Sequence, residues 1–192
     1  VCSSDLREFA VPALVLQACS PVLREIIDST RAAEELVLTI DDCGVGALEA
    51  FLDLAAAQTH LSTRSYDAAE LSGLAVRVMP LVHKYDCGGM LRLLKMALNA
   101  TPDVEGLRAV LKYEGEGAAP WMSEHTAAYL EEKIIESLKR PQWVDATRPI
   151  WAQNEVLSGL PLHAVADQLM RITLKHVSRE MRCPAPSHRK FG

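Results

Sequence analysis

The stretch LVLTIDDCGVGALEAFLDL (Leu36–Leu54) passes from one kind of apolar pattern to another. Its first residues place Leu36, Leu38 and Ile40 at alternate positions, which is typical of a β-strand with one buried face. Two acidic residues end this alternation. Apolar residues then recur three and four positions apart, as they do along one side of an α-helix. The stretch therefore predicts a strand that is followed directly by a helix.

The residues before this stretch predict a second short strand and a pair of helices. Phe9 and Val11 alternate as they would in a strand. Ser20 and Pro21 suit the N-cap and the first position of a helix, because serine accepts from free N–H groups and proline has none to satisfy. The two predicted strands together would form a small sheet.

Helical patterns dominate the residues that follow. One helix is predicted from Asp67, and it contains Pro80, where the sequence leaves open a kink or a break between two helices. The pair Gly88 and Gly89 predicts a sharp turn. A further helix start is predicted at Asp103, after a Thr-Pro pair.

These elements predict an α+β fold in which a small β-sheet is flanked by a helix cluster. We expect that fold in residues 1–100, with a truncated N-terminal strand. An all-helical extension is predicted for residues 101–181, and a flexible tail for residues 182–192.

Composition and charge narrow the classes of function. The chain has 192 residues, and its 20 basic and 25 acidic side chains give a net charge of −5. Nucleic-acid-binding domains usually carry a basic surplus, so nucleic acid is not an expected partner. The five cysteines are odd in number and form no C-x-x-C pair, which predicts an intracellular protein, cytoplasmic or nuclear. No apolar run is long enough to span a bilayer, and no membrane partner is expected.

No set of residues predicts a catalytic, cofactor or metal site. The six histidines lack a partner at metal-ligand spacing, and Cys19 and Cys43 adjoin apolar segments where buried cysteine is common. Asn99 begins an Asn-Ala-Thr glycosylation pattern, which arises often by chance. We therefore expect a protein that is not an enzyme and that binds no cofactor. The alternative is an enzyme on a helical scaffold, which predicts a deep pocket where titratable groups converge.

Three segments, taken in order, resemble the BTB/POZ family. FAVPALVLQACSPVLREII (Phe9–Ile27) resembles its strand and first helix pair, and the Leu36–Leu54 stretch resembles its central strand and third helix. LVHKYDCGGMLRLLKMAL (Leu81–Leu98) resembles its Lys-Tyr-Asp motif and closing helix. Residues Val156–Val177 resemble the helical BACK region that follows many BTB domains. The chain departs from the family at Leu54–Gln58, where other members carry Tyr-x-Tyr-Thr-Gly.

The resemblance implies an adaptor or scaffold that binds other proteins, either itself as a homodimer or a cullin of a ubiquitin ligase. It implies interface candidates on the third helix, the loop after it and the closing helix: Glu49, Asp53, Leu54, Gln58, Thr59 and Met90. It implies structural roles for the motif residues Phe9, Val11, Ser20, Pro21, Leu38, Phe51, Lys84, Tyr85 and Asp86. The sister branch of F-box-binding adaptors and elongin C is an alternative, in which the last helices would form a partner-binding platform.

Overall fold

The computed structural model describes residues 7–30, 37–40, 43–59, 65–113 and 121–139, together with residues 160, 161, 164, 166 and 169–174. In these ranges the regular structure is helical, and seven α-helices can be bounded. They are α1 (Ala13–Cys19), α2 (Pro21–Ser29), α3 (Val45–Gln58), α4 (Ala68–Lys84), α5 (Gly88–Ala100), α6 (Val104–Tyr113) and α7 (Glu124–Lys139).

The predicted α+β fold is wrong, because the described part of the chain contains no β-strand. Phe9–Val11 and residues 37–40 were expected to be strands and have no regular structure, while Leu36 lies outside the described residues. The alternation itself is real: Leu38 and Ile40 pack against the core, whereas Val37 is 78% exposed. An irregular segment that lies against helices produces the same alternation as a strand does, without any hydrogen-bonded partner.

The starts of α2 and α4 lie at the predicted residues Ser20 and Asp67, whose side chains cap these helices. The Ser20 hydroxyl accepts a hydrogen bond from Leu23 N at 2.9 Å, and Pro21 occupies the first position of α2, so this prediction is confirmed. At the start of α4, the Asp67 carboxylate accepts from Glu70 N at 2.8 Å, and the Glu70 carboxylate accepts from Asp67 N at 3.2 Å. Reciprocal bonds of this kind satisfy N–H groups that have no partner inside the helix.

The hairpin between α4 and α5 differs in detail from the prediction. α4 continues through the exposed Pro80 without ending there. The chain turns at Asp86, whose φ of 51° lies in the left-handed region, and Gly88 and Gly89 instead begin α5. Aspartate tolerates this conformation better than most residues because its short side chain can hydrogen-bond locally. The turn therefore comes before the glycines that were expected to form it.

One hydrophobic core joins the helices, and it continues past residue 100. α4 packs against α3, α5 and α6, and α5 also contacts α7. Leu107 and Leu111 of α6 are buried in the same cluster as Leu130 and Ile134 of α7. The largest fully buried side chains are Phe51, Leu23, Leu54, Met79, Leu81, Met90, Leu94, Leu98, Leu107, Leu111, Leu130 and Ile134.

Gly106 allows α6 to approach α4 closely, and we expect Gly106→Ala to destabilise the fold. A Cβ atom there would lie 2.7 Å from the Ser72 carbonyl oxygen and 2.8 Å from Leu98 Cδ2. Because backbone would have to move, the free energy of unfolding should fall by about 1–3 kcal/mol in urea denaturation. Gly73→Ala in α4 is the control, since nothing lies within 4 Å of that position, and a gain of about 0.5–1 kcal/mol is expected. Similar gains at both positions would contradict this packing.

Candidate protein-interaction surface

Helix α3 carries more apolar surface than the core encloses. Its only charged side chains are Glu49 and Asp53, while Phe51, Leu54 and Ala55 face inward and are buried. A helix that is apolar on nearly every side is normally enclosed on every side. The other apolar side chains of α3 are only half-buried: Val45, Ala47, Leu48, Ala50, Leu52, Ala56 and Ala57.

Four of the six interface candidates lie at or near the surface of α3. Asp53 is exposed and Glu49 is half-buried one helical turn before it. Glu49 Oε1 lies 3.2 Å from Nη1 of Arg7, in an ion pair whose side chains are both substantially exposed. Gln58 and the C-cap residue Thr59 are half-buried at the end of the helix. Glu49 and Asp53 lie one turn apart on the acidic side of α3, whereas Gln58 and Thr59 line a cavity at its C-terminal end.

The other two candidates lie in the core. Leu54 is 1% exposed and Met90 is 0% exposed. Both belong to the hydrophobic cluster that joins the helices. Their side chains could contact a partner only if this core opened, so in the folded chain they support the surface from beneath.

A cavity of about 420 Å³ lies beside the end of α3. The Gln58 side-chain amide packs closely against Gly89. A Cβ atom added at that glycine would lie 3.1 Å from Gln58 Nε2. Among the described residues, no carboxylate or imidazole lines this cavity, so those residues do not bring together the acid and base groups that the enzyme alternative predicts. Its lining residues are Ala18, Cys19, Ala57, Gln58, Thr59 and Leu93.

The Cys19 thiol, which lines this cavity, is hydrogen-bonded to the Cys87 thiol. The hydrogen bond from the Cys87 thiol lowers the pKa of Cys19, and it outweighs the opposing effect of burial. The same bond, together with burial, raises the pKa of Cys87. The sequence singled out Cys19 but not its partner, because no local pattern shows that the end of α1 meets the start of α5.

The Lys-Tyr-Asp motif surrounds the turn that follows α4. Tyr85, a motif residue with an expected structural role, is buried in the core with an exposure of 5%. Its ring centroid lies 6.1 Å from that of Phe51, a separation at which aromatic pairs attract. Lys84 Nζ lies 5.3 Å from the Tyr85 ring centroid, and Asp86 forms the turn. The motif therefore anchors the α4–α5 hairpin on α3.

The remaining predicted chemistry has structural explanations where the chain is described. No group of three or more His, Cys, Asp and Glu side chains in the described ranges could hold a metal ion. The Asn99 amide of the glycosylation pattern is fully engaged: Nδ2 donates to Trp121 O at 2.7 Å, and Oδ1 accepts from Ser123 N at 2.9 Å and from Thr126 Oγ1 at 2.8 Å. Asn99 therefore ties α5 to the start of α7.

Comparison with protein-family models, curated proteins and solved structures finds no match to this chain. The relation to the BTB/POZ family therefore stays a prediction, and so does the division near residue 100. Most of the segment from Val156 to Val177 that resembles the BACK region lies outside the described residues. Among the helices that the structure describes, none combines the length and the apolar character needed to cross a bilayer.

Proposed function

We propose that this chain is a protein-binding adaptor and that the outer side of α3 contacts its partner. The observation that carries the proposal is the half-buried apolar surface of α3, which the core leaves partly open to water. Removing such surface from water is favourable by roughly 25 cal/mol per Å² before the entropic costs of association are subtracted. The exposed positions Gly46 and Asp53 mark the outward side of the helix. The small residues Ala50 and Ala57 lie along the same side, so a partner segment can approach closely.

The charge of this surface favours a different protein over a second copy. Glu49 and Asp53 are the only charged residues of α3, and the whole chain carries a net charge of −5. Two copies that met through α3 would place carboxylates opposite carboxylates, and like charges across an interface are unfavourable. The surface therefore suits a partner that offers apolar side chains bordered by lysine or arginine.

The family resemblance adds a specific partner to this proposal. In BTB/POZ members that bind a cullin, the third helix and the loop after it lie near the contact. Here that region corresponds to α3 and Thr59, which include the four candidates found at the surface. Recruitment of proteins to a cullin ubiquitin ligase, without covalent chemistry by the chain itself, is the form of adaptor role that we propose.

Charge reversal at Asp53 tests the proposed surface. We expect Asp53→Lys to weaken binding to a purified cullin scaffold by about ten-fold or more, since reversing a charge at an interface of complementary charge costs on the order of 1–2 kcal/mol. Isothermal titration calorimetry measures the affinity. Glu132→Lys is the matched control, because Glu132 is an exposed carboxylate on α7, and its affinity should remain that of the unsubstituted chain.

Two results would count against the proposal. If the cullin scaffold binds the Asp53→Lys variant as tightly as it binds the unsubstituted chain, α3 does not belong to the interface. Failure of the unsubstituted chain to bind the scaffold would remove the ligase role. Sedimentation equilibrium of the chain alone tests whether it forms a homodimer. We expect a monomer, because the acidic α3 surfaces of two copies would repel each other.

A further inference from the structure

We propose that Cys19 and Cys87 form an oxidant-sensitive thiol pair, in which hydrogen peroxide enters the cavity beside α3 and converts the pair to a disulfide. Cys19 is the last residue of α1, and Cys87 is the N-cap of α5. Residues at helix ends can adjust their backbone more readily than residues inside a helix. Both cysteines are free in the structure.

The Tyr85 carbonyl oxygen brings the segment that contains Cys19 close to Cys87. The Ser20 hydroxyl, in the residue next to Cys19, donates to the Tyr85 carbonyl oxygen. The Cys87 thiol approaches the same oxygen, with Sγ at 3.8 Å. The Cys19 thiol donates to Leu16 O at 3.3 Å within its own helix. The corner between α1 and α2 therefore contacts the corner between α4 and α5 through the bond from Ser20 to Tyr85, and each corner carries one of the two cysteines.

The two cysteines differ in access to solvent. Cys19 lines the cavity of about 420 Å³ and is 7% exposed, whereas Cys87 is 1% exposed and does not line it. A small oxidant such as hydrogen peroxide can therefore reach Cys19 first. Cys87, which is buried and does not line the cavity, is then the second cysteine, which reacts with the oxidised Cys19.

Protonation favours the same order of reaction. The lowered pKa of Cys19, caused by the hydrogen bond from Cys87, increases the fraction of thiolate near neutral pH. The thiolate is the form that attacks peroxide. The raised pKa of Cys87, caused by that bond and by burial, keeps it as a thiol until Cys19 has reacted.

The reaction proceeds in two balanced steps. The Cys19 thiolate attacks one peroxide oxygen, so that an S–O bond forms, the O–O bond breaks, and hydroxide leaves and takes up a proton to become water. The Cys87 sulfur then attacks the sulfenic acid sulfur of Cys19. An S–S bond forms, the S–O bond breaks, and the proton of Cys87 leaves with hydroxide as the second water. The two thiols supply both electrons that reduce the peroxide.

Peptide mapping of the full chain tests the proposal. Trypsin places the five cysteines in separate peptides: Cys2 in residues 1–7, Cys19 in residues 8–24, Cys43 in residues 32–64, Cys87 in residues 85–92 and Cys183 in residues 183–189. After brief treatment with hydrogen peroxide and alkylation of the remaining thiols, we expect mass spectrometry under non-reducing conditions to find residues 8–24 joined to residues 85–92. The link should disappear after treatment with a reductant.

Single substitutions separate the two roles. Cys87→Ser should lose the link and leave a Cys19 sulfenic acid that dimedone traps, whereas Cys19→Ser should lose both products. Cys43→Ser is the control and should retain the link. Absence of the joined peptide from the oxidised unsubstituted chain would overturn the proposal, even if a variant failed to fold. So would equal linkage of Cys43 to either cysteine, since that indicates random oxidation.

Discussion

Replacing Leu54 by alanine should lower the free energy of unfolding by about 2–5 kcal/mol, the usual cost of removing a buried leucine side chain. Leu54 is 1% exposed and belongs to the cluster that joins the helices. The substitution removes apolar contacts and leaves a cavity that close-packed neighbours fill only in part. Urea denaturation followed by far-UV circular dichroism measures the change.

The same substitution at an exposed leucine provides the control. Leu14 lies on α1 and is 68% exposed, so Leu14→Ala should change the free energy of unfolding by no more than about 0.5 kcal/mol. If Leu54 were instead an interface residue, Leu54→Ala would leave stability nearly unchanged and weaken only partner binding. That result would contradict the packing of α3 described above.

Leu54 also shows why a predicted interface segment contains residues that are buried in the core. The resemblance marked a segment of helix and loop, and a segment contains both inward and outward side chains. Asp53 and Leu54 are neighbours in sequence, yet Asp53 is exposed and Leu54 is buried, because successive residues point about 100° apart around a helix. Which side faces inward depends on how α3 packs against α4 and α5, and these contacts join residues that are distant in sequence.

The starts of α2 and α4 could be predicted because their causes are local. A capping residue such as Ser20 or Asp67 satisfies N–H groups two or three positions further along the chain. A sheet has no such local cause, since a strand needs hydrogen bonds from another segment. Alternation in LVLTI showed correctly that Leu38 and Ile40 turn inward. It could not show whether any strand lay beside them.

The proximity of Cys19 to Cys87 could not be predicted from the sequence for the same reason. Cys19 and Cys87 come together because the α1–α2 corner meets the α4–α5 corner, and the bond from Ser20 to Tyr85 joins residues that are 65 positions apart. The Ser-Pro pair and the Lys-Tyr-Asp motif were each recognisable. Their contact was not, because neither motif contains information about the other.

Replacing Ser20 by alanine should therefore affect both a helix start and a tertiary contact, with a loss of about 2–4 kcal/mol in the free energy of unfolding. Ser20 is 1% exposed. Its hydroxyl accepts from Leu23 N at 2.9 Å and donates to the Tyr85 carbonyl oxygen. Loss of an N-cap costs about 1 kcal/mol, and a buried carbonyl that loses its donor costs about 1–3 kcal/mol more.

The Ser29→Ala variant separates this double role from the loss of a hydroxyl in general. The Ser29 hydroxyl is exposed and donates only locally, to Ile26 O at 2.8 Å, so its removal should cost no more than about 0.5 kcal/mol. Amide hydrogen exchange gives a second measurement, because Leu23 N should exchange faster in Ser20→Ala once its acceptor is gone. A loss of only about 1 kcal/mol would match the cap alone. It would mean that the bond to Tyr85 does not hold the two corners together.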